Sequence, residues 1–154
     1  MQVETDFTLP AWSGNDSPAA FNTAQAGLQE SMSATILLID DNAVQAATRQ
    51  TILKRAGYLV IAALNPTRAL EQIRAHEFPY AIDLILTDHI MPGMNGAEFI
   101  TKLREFEPKI PVLVISGMAE AEEEYHGLNV HFRIKPLLPD NLLASVHNLV
   151  SSKQ

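Results

Sequence analysis

Residues 83–96 read DLILTDHIMPGMNG: an apolar run that stops at a lone acid, Asp88, followed by a loop rich in turn formers from Met91 to Gly96. A short run of Leu and Ile bounded in this way reads as a β-strand covered on both faces. The same pattern recurs along the chain. ILLIDDN (36–42) sets Asp40 and Asp41 after an apolar run, PVLVISG (111–117) ends in Ser116, and VHFRIKP (130–136) ends in Lys135 before Pro136. Strand-like runs fall near 35–39, 58–64, 82–87, 111–115 and 130–134.

Helical stretches lie between them. Residues 43–56 carry Val44, Ala47, Ile52, Leu53 and Ala56, and Gly57 closes the helix. Asn65-Pro66 reads as an N-cap followed by a first-turn proline, opening a helix with Ala69, Leu70 and Ile73 facing inward. Residues 96–106 show Phe99, Ile100, Leu103 and Phe106; residues 119–126 are short and acidic; residues 139–150 place Leu142, Leu143, Val146, Leu149 and Val150 on one helical face. Five strands alternating with five helices imply right-handed crossovers and a doubly wound parallel sheet. Such sheets bind ligands beyond the carboxyl ends of their strands, where all the polar groups named above fall.

The chain has 154 residues, 47% hydrophobic and 19% charged, which fits one globular domain. Residues 1–33 are set apart by Ser, Asn, Thr, Ala and Gln, with no sustained period, and read as a disordered extension. Trp12 is its candidate anchor for a docking contact. That segment holds four acids and no Lys or Arg, leaving −3 of the total charge of −7 for the remainder. No basic surface for nucleic acid is expected. The absence of cysteine excludes disulfides and thiol chemistry and fits the cytoplasm. No apolar run reaches the length of a membrane span, and the N-terminus lacks the pattern of a secretory signal.

Asp40, Asp41 and Asp88, brought together at one sheet edge, would raise one another's pKa unless a cation intervened. Mg²⁺ suits an all-oxygen site shared with phosphate. Lys135, held extended by the following proline, adds a fixed positive charge. Together these could neutralise a phosphoryl group in transfer. Asp88, the single acid on its strand, is the best candidate nucleophile, forming an aspartyl phosphate. The loop after it can turn the Ile90 carbonyl towards the metal.

In this arrangement the chain resembles the response-regulator receiver domain of two-component signalling, a flavodoxin-like fold, over roughly residues 34–152. The motif TDxxMPxMxG is matched by Thr87-Asp88, Met91-Pro92, Met94 and Gly96. The resemblance implies Asp88 as phosphoacceptor, with Asp41 and Asp88 on Mg²⁺ directly and Asp40 through a water. It implies Ser116 as the switch hydroxyl, Lys135 as the conserved-type lysine in a cis bond to Pro136, and Phe132 as the switch aromatic. Phe132 stands where tyrosine is common, and the short stretch from Ser116 to Lys135 leaves little room for a fourth helix. Apolar Ile90 and Met118 sit at positions that influence water's access to the acyl phosphate, so slow self-dephosphorylation is expected.

The resemblance implies a phosphoacceptor signalling protein rather than an enzyme, phosphorylated by a histidine kinase or a histidine phosphotransfer protein. With no effector domain after the last helix, the reading is a stand-alone cytoplasmic regulator whose output is contact with an unknown downstream protein. A dehalogenase-like phosphatase would need Asp-x-Asp after the first strand, where Asn42 stands instead. A flavin-phosphate binder would be repelled by Asp40-Asp41, and an adaptor that never uses the site is the remaining rival. His89 follows Asp88, and strand alternation directs its side chain away from the site; it reads as an orienting or surface residue. Glu120, Glu122, Glu123 and Glu124 read as a solvated helix face.

Overall fold

The apolar runs form one sheet of five parallel strands in the computed structural model, which describes residues 33–152. The strands are β1 (Thr35–Ile39), β2 (Leu59–Ala63), β3 (Leu84–Asp88), β4 (Val112–Ser116) and β5 (His131–Ile134), in the order β2-β1-β3-β4-β5. Among the described residues the four α-helices are α1 (Ala43–Arg55), α2 (Pro66–Arg74), α3 (Gly96–Arg104) and α4 (Pro139–Ser152). The remaining helical segment, Ala119–Tyr125 between β4 and β5, is a 3-10 helix. Five strands and five helical segments in this order make the flavodoxin-like doubly wound fold expected from the sequence. The expectations for residues 1–33, a disordered extension with Trp12 as an anchor, lie outside the described residues.

Strand alternation divides the core. Leu37, Ile39, Ile85, Val112 and Val114 face α2 and α3, where they meet Ala69, Leu70, Phe99, Ile100 and Leu103. Ile36, Leu38, Leu84, Leu86, Leu113 and Ile115 face α1 and α4, meeting Ala46, Leu53, Leu142, Val146 and Leu149. The period of two sets these faces, and it carries past the strand ends. Asp40 and Asp88 continue the even-numbered α1/α4 face of β1 and β3, while His89 continues the opposite one.

Parallel register brings the carboxyl ends level: Ile39 pairs with Thr87, Asp88 with Ile115, and Ser116 with Ile134. Three helices start beside them, each capped by an asparagine. The side chains of Asn42, Asn65 and Asn95 accept from the backbone N–H of Gln45 (2.9 Å), Arg68 (3.0 Å) and Glu98 (2.8 Å). Each cap contributes about 1 kcal/mol. Glu98 completes a capping box by accepting from the Asn95 N–H.

The 3-10 geometry has a local cause. Glu120 faces Glu123 and Glu124 at helical spacings, where like charges oppose α-helix formation, and the short connection leaves no length to outweigh that. Its inward residues are Ala121 and Tyr125, both buried. Tyr125 lies over Gly96: a Cβ built on Gly96 would run into the Tyr125 hydroxyl and sit 2.8 Å from the Asp88 carbonyl oxygen. Gly96→Ala is therefore expected to destabilise the fold by about 1–3 kcal/mol, read from the midpoint of urea unfolding. An unchanged midpoint would show that this contact yields freely.

Candidate functional site at the carboxyl edge of the sheet

Asp40 is fully buried just past β1, and Asp88, 3% exposed, ends β3. Two side chains of α1 reach between them. Gln45 Nε2 donates to Asp40 Oδ2 at 2.7 Å and to Asp88 Oδ2 at 2.5 Å. Arg49 Nη1 donates to Asp40 Oδ2 at 3.3 Å and to Asp88 Oδ1 at 3.0 Å. Lys135 approaches from the end of β5, its Nζ 3.2 Å from Asp88 Oδ1. The Lys135 N–H donates to the Ser116 carbonyl at 2.7 Å, which ties the lysine to the end of β4, and the Lys135-Pro136 peptide is cis.

Burial is the main cause that pushes the Asp40 carboxyl above the ordinary carboxylate range, and the charge of Asp88 adds to it. The Asn42 N–H, Gln45 and Arg49 pull the other way without cancelling it. A raised pKa means that ionising Asp40 opposes folding at neutral pH, and that this penalty fades as pH falls through the raised value. Asp40→Asn is accordingly expected to raise the thermal unfolding midpoint of the metal-free protein by several degrees at pH 7. The gain should shrink towards pH 4. A midpoint lowered at pH 7 would mean that the lost charge contact to Arg49 outweighs burial.

Ser116 is buried, and its Oγ accepts from the Met118 N–H at 3.0 Å. Phe132, in β5, packs against Tyr125 with ring centroids 5.7 Å apart. Ile90 lies two residues past Asp88 and is 64% exposed, and Met118 is 39% exposed. His89 does point away from Asp88, but it is buried rather than on the surface. Its Nδ1 is 2.7 Å from the Tyr125 hydroxyl and its Nε2 is 3.5 Å from Glu124. A proton on Nε2, facing Glu124, leaves Nδ1 to accept from Tyr125. Burial, with the charges of Glu124 and Asp88, pushes the Tyr125 hydroxyl pKa upward, so it stays protonated. Glu124 is thus exposed like its neighbours while also holding His89.

Asp40 and Asp88 converge, but Asp41 is exposed, and among the described residues no group of three or more acids or histidines is placed to hold a metal ion. Asp41 is the residue before the Asn42 cap, where the chain has left the sheet. The space between the two buried acids is taken by Gln45 and Arg49. The oxygen donors fit a hard cation such as Mg²⁺ in kind, but two N–H donors now stand among them. Gln45 and Arg49 were missed by sequence reasoning. Their signal was a polar pair at i and i+4, one turn apart on the face of α1 nearest the acids.

A family model described as the response regulator receiver domain matches residues 36–147. The hydrogenase transcriptional regulatory protein HoxA of Cupriavidus necator is 32% identical over 125 residues, 78% of this chain and 25% of its own length. The transcriptional regulatory protein ZraR of Escherichia coli is 32% identical over 119 residues, 75% of this chain and 26% of its own. The chain thus spans about a quarter of the length of these relatives. A crystal structure of a response regulator receiver protein from Sinorhizobium medicae superposes with a TM-score of 0.69 at 29% identity, covering 80% of this chain and 98% of that one. No described helix is long and apolar enough to cross a membrane.

Proposed function

The chain belongs to the response regulator receiver family, and from that premise we propose that it accepts a phosphoryl group on Asp88 in a two-component phosphorelay. The observation that carries this is the setting of Asp88: a buried carboxylate at the carboxyl end of a central strand, faced by the cations Lys135 and Arg49. The donor is a histidine kinase or a histidine phosphotransfer protein. An Asp88 oxygen attacks phosphorus, the bond from phosphorus to the donor nitrogen breaks, and the imidazole leaves with a proton. Lys135 stays beside the Asp88 oxygen, where charge on the transferring group is to be neutralised.

Mg²⁺ would be held by Asp40, Asp41, Asp88 and the Ile90 carbonyl, and supplies charge neutralisation to phosphoryl oxygens when bound. Ser116 would leave the Met118 N–H for the phosphoryl group, and Phe132 would shift with the segment that follows β4. That two-state change requires only a few kcal/mol of differential interaction. Residues 34–152 form the receiver and residues 1–33 an extension. The output is contact with a downstream protein in the cytoplasm, not turnover of a substrate and not direct binding of nucleic acid or membrane. Ile90 and Met118, apolar at the rim, slow hydrolysis of the acyl phosphate. Incubation of the purified chain with acetyl phosphate and Mg²⁺, followed by peptide mapping, tests the reading. A hydroxylamine-labile phosphoryl on Asp88 is expected; no uptake, or uptake elsewhere, would refute it.

A further inference from the structure

We infer that Arg49 is a resident cation of the Asp40–Asp88 pair and competes with a divalent metal ion for it, so that Mg²⁺ enters as Arg49 swings out. The inference deepens the phosphoacceptor reading and rests on it for the role of Asp88.

Arg49 Nη1 lies 3.0 Å from Asp88 and 3.3 Å from Asp40, and Gln45 Nε2 bridges the same two carboxylates. The Arg49 side chain is 11% exposed, that of Asp40 0% and that of Asp88 4%, so this is an interior pair rather than a surface contact. Charges at the site already balance without metal: Asp40 and Asp88 against Arg49 and Lys135, with Asp41 outside. A guanidinium carries donors only and is always charged. It cannot share those oxygens with a dication at hydrogen-bonding range, since two positive charges would face each other across a buried gap.

Arg49 has a place to go. It also borders a cleft of about 590 Å³ lined by Ile52, Lys135, Pro136, Leu137 and Leu142. The apolar members can cover its methylene stem while the charged head turns to water. Metal affinity is then the intrinsic affinity scaled down by the fraction of molecules with Arg49 withdrawn.

The test is calorimetric titration of the full chain with MgCl₂ and no phosphodonor. Wild type is compared with Arg49→Met and with Arg55→Met, a charge lost from the exposed last turn of the same helix. Arg49→Met is expected to bind Mg²⁺ about tenfold more tightly or better, and Arg55→Met within about twofold of wild type on Coulombic grounds alone. Equal affinity in Arg49→Met and wild type, or equal tightening in both variants, would overturn the inference. If Arg49→Met is unfolded without metal, recovery of its far-UV circular dichroism with Mg²⁺ supports the inference, and no recovery overturns it. Labelling of wild-type Asp88 by acetyl phosphate is scored separately. Labelling with unchanged Mg²⁺ affinity in Arg49→Met removes only the competition; tighter Mg²⁺ binding without labelling removes only the phosphoacceptor.

Discussion

Asp88→Asn is expected to take up no phosphoryl group from acetyl phosphate at any Mg²⁺ concentration. Asparagine has nearly the same shape, but its amide has no anionic oxygen to attack phosphorus. The fold should survive the change. The amide oxygen can still accept from Lys135, Arg49 or Gln45, all within hydrogen-bonding range of the present carboxylate, and the repulsion that Asp88 exerts on Asp40 disappears. Intact-mass measurement beside a far-UV spectrum separates the two effects. A folded Asp88→Asn variant labelled as fully as wild type would place the acceptor elsewhere.

Lys135→Met is the second large effect. Methionine keeps the length and apolar character of the stem and removes only the charge, so the lost rate reports the ammonium. Removing one preorganised donor from a site of developing charge costs on the order of 10²-fold in rate, and that slowing is expected in the initial rate of Asp88 labelling. Stability should move little. The Lys135 side chain is 36% exposed, and ion pairs open to solvent contribute about 0–1 kcal/mol. Unchanged labelling with Lys135→Met would show that the transfer does not depend on the ammonium.

The parts of the molecule legible in the sequence share a physical cause. Strands covered on both faces are apolar without interruption, so 35–39, 84–87 and 112–115 stand out and the residue after each run is located with them. Asp40, Asp88 and Ser116 were visible because each interrupts such a run, whereas Lys135 follows the mixed, largely exposed strand His131–Ile134 and was visible through the proline after it. Asn65-Pro66 was visible because capping chemistry is local. Helix phase was harder to read. In 43–56 the apolar Val44 is 77% exposed, while polar Gln45 and Arg49 turn towards the sheet edge. Polar residues within a helix ordinarily mark its wet side, and here they mark the site. Asp41 could not be told from Asp40 because one residue of chain separates a buried position from an exposed one. The His89–Tyr125 contact joins residues 36 apart and depends on the rotation of a 3-10 turn, which no local pattern encodes.

That contact makes the 3-10 turn a lever. Tyr125 bears on Phe132 with its ring and holds His89 with its hydroxyl, and His89 is the residue after Asp88. The contact links the turn to the backbone beside the acid, so displacement of either would bear on the other. Phe132 has no hydroxyl, and the hydroxyl of this aromatic pair belongs to Tyr125, seven residues earlier, anchored on the residue that follows Asp88.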